Sequence, residues 1–328
     1  MTKSLFSRRK FLGTAATAAA LAATPFHFAY SKSSFNRLPN SKVGGIQLGC
    51  TTYSYRSMSM MQDDIIDYLL LAGINSIELR SVAEETLGLP PNAARPPRGA
   101  ELSEKEKADF ARAAEASREA QRKWRLSLPM QKYRDMRNKF NSAGIDVHIS
   151  KFAPTSWSDE EIDYAFRAAQ VLGSKGISDE IGNESAARLG KFAEKHSSLA
   201  ILHNHAQPAE PGFSFDDFLD KSPANTLNFD AGHYYGATGL HPNEIIEKYH
   251  TRMTSIHIKD KTGPKSSPAN TNKAFGEGET PIADILLLLK GKNWPIHVDI
   301  ELEYPVPANS NAAKEVARSI EYMRNILE

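Results

Sequence analysis

Four segments in the second half of this chain end in side chains that bind metals or move protons. They are His203-Asn-His205, Leu227-Asn-Phe-Asp-Ala-Gly-His233, Ser255-Ile-His-Ile-Lys-Asp260 and His297-Val-Asp-Ile-Glu-Leu-Glu303. Imidazole nitrogens mixed with carboxylate oxygens, with positions left open, are what a catalytic divalent ion requires. Cys50 is the only cysteine, which excludes a thiolate zinc site and an intramolecular disulfide. Any metal must therefore be held by His, Asp and Glu. A lone histidine, or a lone aspartate at a strand end, more often has a structural duty such as capping the next helix. The weight comes from recurrence on successive segments.

These side chains need elements to position them, and the chain alternates short β-rich runs with longer helical patterns. The runs are 46–50, 74–79, 145–149, 175–178, 199–203, 226–230, 253–258 and 296–301; the helical patterns are 62–71, 131–142, 159–172, 184–195, 215–219, 243–249, 282–289 and 312–327. Gly73 is placed to end the first helix and Ser158 to cap the third. Eight βα units over residues 43–328 predict an α/β fold, a (β/α)8 TIM barrel, whose chemistry sits at the C-terminal strand ends. A charged helix from Glu104 to Arg125 is expected within an insertion at about 85–130. The glycines of Gly44-Gly-Ile-Gln-Leu-Gly49 precede and interrupt the first strand, so they do not form a dinucleotide turn. Alternation along a strand sends every second side chain inward. That sorts the candidates into Glu78; His203 and His205; Asp230 with His233 on the turn after it; His257, Lys259 and Asp260; and Asp299, Glu301 and Glu303.

At the N-terminus, Ser7-Arg-Arg-Lys-Phe-Leu-Gly13 is followed by an uncharged small and apolar run from Thr14 to Phe26. The run falls short of the roughly 20 residues a membrane helix needs. It resembles a bacterial twin-arginine signal, with residues 1–31 as the signal and 32–42 as a linker. Export to the periplasm by the twin-arginine machinery is the implied localisation. Forty basic residues against thirty-nine acidic give a formal charge of +1, which argues against a nucleic-acid partner and for a small-molecule substrate.

In order along the chain, His-Asn-His, Asn-Phe-Asp-Ala-Gly-His, Ile-His-Ile-Lys-Asp, Gly276-Glu-Gly-Glu-Thr-Pro281 and Ile-Glu-Leu-Glu resemble the xylose-isomerase-like TIM-barrel superfamily of sugar phosphate isomerases and epimerases, which includes endonuclease IV. The resemblance is sharpest from Leu199 to Tyr304. It implies one divalent metal (Mn, Zn, Co or Mg) held at strand ends five to eight by Glu, Asp, His and Glu. Three of these fall on Asp230, His257 and Glu301. Where the family has its first Glu this chain has His203, with His205 two residues on, and either imidazole can take that place. The resemblance gives Glu301 a role in proton transfer, with His205 or Glu78 as the second acid or base. It puts His233 on a substrate hydroxyl, and Lys259, Asp260 and Trp157 complete the expected substrate contacts. The expected activity is that of an exported, metal-dependent carbohydrate enzyme, an isomerase or epimerase acting beside a metal-polarised carbonyl of an unphosphorylated sugar or keto-glycoside. Lyase or hydrolase chemistry on a keto-sugar is a variant of it. The alternatives are a phosphodiesterase like endonuclease IV and an inactive periplasmic sugar-binding barrel.

Overall fold

Eight parallel strands close into a barrel in the computed structural model, which describes residues 38–80, 82–97 and 99–328; the export-signal reading falls on 1–31, outside the described residues. The strands are β1 (Ile46–Thr51), β2 (Ser76–Leu79), β3 (Asp146–Ser150), β4 (Gly176–Glu180), β5 (Leu199–His203), β6 (Asn225–Asp230), β7 (Met253–Ile258) and β8 (His297–Ile300). Each pairs with its neighbour in sequence, and β8 returns to β1 with Val298 opposite Leu48 and Asp299 opposite Gly49. A two-residue strand, Lys42–Val43, folds back antiparallel on β1.

Alternation explains what each strand contributes. Leu48, Ile77, Val147, Ile177, Leu202, Phe229, Ile256 and Val298 join the apolar core between sheet and helices. The opposite set is polar and almost fully buried: Ser76, Glu78, His148, Ser178, Asn228, Ser255, His257 and Asp299. Barrels of this kind usually fill their interior with branched apolar side chains. Here the axis must instead satisfy hydrogen bonds. His148 Nε2 lies 2.9 Å from Asp299 Oδ2, and Ser76 Oγ lies 2.9 Å from His148 Nδ1 and 3.2 Å from His297 Nδ1. Gly49 makes room for this column, since a Cβ there would stand 2.3 Å from Asp299 Oδ1 and 2.8 Å from the Ser76 carbonyl oxygen.

Helices cover the barrel and start where the sequence signals them. Ser158 and Glu161 form a capping box on helix Asp159–Leu172, and Gly73 ends helix Gln62–Ala72 at a positive φ of 65°. Helix Glu104–Ser127 runs through the longest connection with little of it buried, and Arg125 ties it down. That guanidinium meets Glu84 at 2.8 Å and Glu161 at 3.0 Å and lies 3.5 Å over the Trp157 ring.

A helix absent from the sequence reading follows β6. The chain enters it at once, Ala231–Thr238, where the pattern suggested only a turn. Two glycines and no amphipathic period hide it. Its start is set by Asp230, whose Oδ1 accepts the His233 amide at 2.7 Å. Among the described residues no helix is long and apolar enough to cross a membrane.

Candidate active site

The C-terminal ends of β2 and β4 to β8 converge on one polar mouth. At its centre His203, Asp230, His257 and Glu301 bring one ligand atom each to within 4.8 Å of one another. Glu180, His203 and His205 form a second such group, so His203 belongs to both. The imidazoles follow one another round the rim, with ring centroids 4.7 Å apart from His257 to His203, 4.9 Å from His203 to His205 and 4.8 Å from His205 to His233.

His203 is fully buried, and its Nδ1 lies 3.3 Å from the Asn228 carbonyl oxygen. A carbonyl only accepts, so Nδ1 carries the proton and the Nε2 lone pair is left free. Nε2 has no hydrogen-bond partner. Burial holds its pKa well below the usual histidine value, with Lys151 and His257 adding to the effect. A neutral, oriented and unpaired imidazole nitrogen is the state a metal ligand needs.

Lys259 enters the same mouth. Its ammonium sits 2.9 Å from Asp230, 2.7 Å from Glu301 and 2.7 Å from Glu303. Burial alone would lower its pKa, but the three carboxylates outweigh burial and raise it. Gly232 allows the close packing, because a Cβ there would fall 2.3 Å from Lys259 Cγ. Burial pushes Glu301 up, yet Lys259 and His257 hold it well below the usual carboxylate range, and Glu303 is drawn down to about 2 by His233 and Lys259 against the same burial.

His257 has both ring nitrogens engaged, Nε2 with Glu78 at 2.7 Å and Nδ1 with Glu301 at 3.0 Å. Against burial, these two carboxylates raise its pKa well above the usual value. Glu78 lies beneath the mouth at 0 % exposure, where Asn228 Nδ2 also donates to it at 2.7 Å. It therefore stands behind His257 as an orienting carboxylate, rather than facing substrate as the second acid or base that the sequence suggested.

His233 borders the cluster, with Nε2 3.4 Å from Glu303 and 3.9 Å from Asp230. His205 is half-exposed, 3.4 Å from Glu180, and its pKa is lowered, chiefly by burial of the ring. Two expected substrate contacts are placed elsewhere. The Asp260 carboxylate accepts the backbone N–H groups of Gly276 at 2.8 Å, Gly278 at 2.9 Å and Thr280 at 3.2 Å, so it clamps that loop and does not point into the cluster. Trp157 packs under Arg125 and against Phe152 on the rim. The sequence reading passed over Lys151, Glu180 and Asn228. Asn228 lies two residues before Asp230, in inward phase, and could have been found. Glu180 fell beyond the strand drawn to Ser178, and Lys151, whose ammonium holds Glu180 at 2.9 Å, lies just past the end of β3.

Residues 179–326 match the family model described as xylose isomerase-like TIM barrel. A comparison with curated proteins finds no match. Among solved structures, one described as a sugar phosphate isomerase/epimerase from Parabacteroides distasonis shares 16% identity over 93% of this chain and 100% of its own, with a TM-score of 0.56. A xylose isomerase domain protein from Alicyclobacillus acidocaldarius shares 14% over 85% and 98%, also at 0.56. The "probable 3-DHS dehydratase AsbF involved in the petrobactin synthesis" from Bacillus anthracis shares 13% over 84% and 98%, at 0.55. At these identities the likeness is one of fold.

Proposed function

We propose that this chain is a metal-dependent carbohydrate enzyme of the xylose isomerase-like group, exported by a twin-arginine signal to the periplasm. It moves a proton next to the carbonyl of an unphosphorylated sugar or keto-glycoside. The observation that carries this reading is the His203 Nε2 lone pair, fully buried and without a partner at the barrel mouth. Asp230 Oδ2 accepts no well-aligned hydrogen bond and has the Lys259 ammonium, 2.9 Å away, beside it. Donors left in this state fit a divalent ion, and His203, Asp230, His257 and Glu301 are the residues that would hold it in the arrangement the resemblance implies, once Lys259 moves off Asp230 and Glu301. When bound, such an ion polarises a carbonyl as a Lewis acid.

The chain's own residues supply the rest. Glu301 is ionised at neutral pH and can accept the proton from the carbon beside the carbonyl. Lys259, 2.7 Å away, is a donor for the oxygen that gains negative charge as that proton leaves. His205 and His233 on the rim are hydrogen-bond partners for hydroxyls. The mouth sets five carboxylates, Glu78, Glu180, Asp230, Glu301 and Glu303, against three cationic partners, the Lys151 and Lys259 ammonium groups and the His257 ring whose pKa the carboxylates raise. That negative excess repels a phosphodiester backbone and favours an uncharged polyol or sugar over the phosphodiesterase alternative.

Solvent deuterium exchange tests the reading. Wild-type protein incubated with a panel of ketoses, aldoses and keto-glycosides in heavy water exchanges the proton beside the carbonyl of its substrate. Glu301→Gln loses about 100-fold or more of that exchange, the contribution typical of a general base. Undiminished exchange in Glu301→Gln rules out its role as base. Absence of exchange and turnover across the panel, with sugar binding retained, would favour the binding-barrel alternative.

A further inference from the structure

We propose that the resident ion rests on Glu180, His203 and His205, on the β4–β5 side of the mouth, while Lys259 keeps the pocket between Asp230 and Glu301. The proposal refines the metal-dependent reading above and rests on it. It follows from which donors are free. In the group His203, Asp230, His257 and Glu301, both ring nitrogens of His257 are paired, at 2.7 and 3.0 Å. Glu301 Oε2 already meets Lys259 at 2.7 Å, and Asp230 Oδ2 meets it at 2.9 Å. An internal cation stands there. Loading that group requires Lys259 to leave and His257 to give up a partner.

The group Glu180, His203 and His205 needs neither change. His203 Nε2 and Glu180 Oε2 are both buried atoms without a hydrogen-bond partner. His205 Nε2 stands 3.4 Å from Glu180 Oε2, and one donor atom from each of the three residues lies within 4.8 Å of the others. Lys151 binds the other oxygen, Oε1, at 2.9 Å and so turns Oε2 toward the histidines. His203 has one lone pair to give, so the two positions exclude each other. Two imidazoles and one carboxylate with positions left open suit a first-row transition dication such as Zn2+, Co2+ or Mn2+, and suit Mg2+ poorly. His205 and Glu180 have side chains 50% and 42% exposed, so this side of the mouth is open to vicinal oxygens of a hydroxycarbonyl substrate.

The test is a Co2+ titration of the full chain after removal of metal with a chelator, followed by the visible absorption of the bound ion and by equilibrium dialysis. Wild type is expected to bind about one ion, and Glu180→Gln and His205→Asn to weaken binding by about 100-fold, since even residues that only orient ligands contribute 10- to 100-fold. Asp230→Asn and His257→Asn should bind within about threefold of wild type. His203→Asn should lose the ion under either arrangement. The reverse pattern, tight binding in Glu180→Gln and His205→Asn with loss in folded Asp230→Asn and His257→Asn, would overturn the proposal and leave the metal-dependent reading standing. Absence of Co2+ binding by wild type would overturn both. Circular dichroism of each variant separates lost binding from lost folding.

Discussion

Replacing Lys259 with Met removes the one cation that three carboxylates share while keeping the apolar stem that packs against Gly232. Lys259, Asp230 and Glu301 have side chains only 2, 0 and 6% exposed, so water does little to compensate the charges left behind. Breaking a buried ion pair from one side costs about 3–5 kcal/mol. Glu303, at 19% exposure, is partly hydrated and draws the expectation to the lower end, about 3 kcal/mol. For a domain this large that is a fall in Tm of roughly 6–12 °C. The sign with pH is fixed by the raised pKa of Lys259: its contribution is complete below the unfolded lysine value and is lost only as pH rises through the folded one, so it is fully present at neutral pH. The assay is urea unfolding of wild type and Lys259→Met in chelator at pH 7, repeated with Co2+. Saturating Co2+, at 100 times the dissociation constant, should raise the variant by about 2.7 kcal/mol over its own value in chelator, and wild type that binds the ion by a comparable amount over its own. A variant within about 0.5 kcal/mol of wild type in chelator would refute the claim that Lys259 serves as the internal cation.

Three further outcomes can be measured by denaturation. Arg125→Met strands the buried carboxylates of Glu84 and Glu161 and should cost about 3 kcal/mol at pH 7. Burial raises the folded-state pKa of Glu84 despite Arg125, so its contribution falls as pH rises from the unfolded value through the folded one, and the Arg125→Met loss should be smaller at pH 5 than at pH 7; a loss independent of pH counts against it. Gly49→Ala forces a methyl group onto Asp299 and the Ser76 carbonyl and should cost about 1–3 kcal/mol, whereas wild-type stability would mean that the strand can shift. Asp230→Ala should lose about 1 kcal/mol more than Asp230→Asn, because only the amide still caps helix Ala231–Thr238, and equal losses would show that the cap contributes nothing.

The closed barrel was legible because its signal is repeated: eight apolar runs alternate with helical patterns, and each run ends within a few residues of the observed strand. The mouth was legible for a related reason, since inward phase and a chemical side chain coincide at His203, Asp230, His257 and Glu301. What escaped the sequence was direction and pairing. Asp260 and Lys259 are adjacent and look equally placed to meet substrate, yet alternation sends the ammonium into the cluster and turns the carboxylate onto three backbone amides. Glu78 carries the same carboxylate as Glu301, but it lies a layer deeper and meets His257 from below. Neither depth along the axis nor an internal lysine counter-ion leaves a periodic trace.

The polar axis gives a reason for a neutral histidine, rather than a carboxylate, at the end of β5. The interior already holds Glu78 and Asp299 at 0 % exposure, and the mouth adds Asp230, Glu301, Glu303 and Glu180. A further buried carboxylate at position 203, 0 % exposed, would face Asp230, and the cations near it, Lys151, His257 and Lys259, are each already paired with carboxylates, so its charge would be poorly compensated or neutralised by a proton. An imidazole offers a lone pair without a charge. His203→Glu should therefore raise the charge problem that Lys259 now balances. In metal-free protein it should destabilise by more than His203→Gln, which has similar size and no charge, and added divalent ion should reverse the order by giving the new carboxylate a partner. Equal stability of the two variants in chelator would show that the mouth tolerates another buried anion, and the electrostatic reason for histidine at this position would fail.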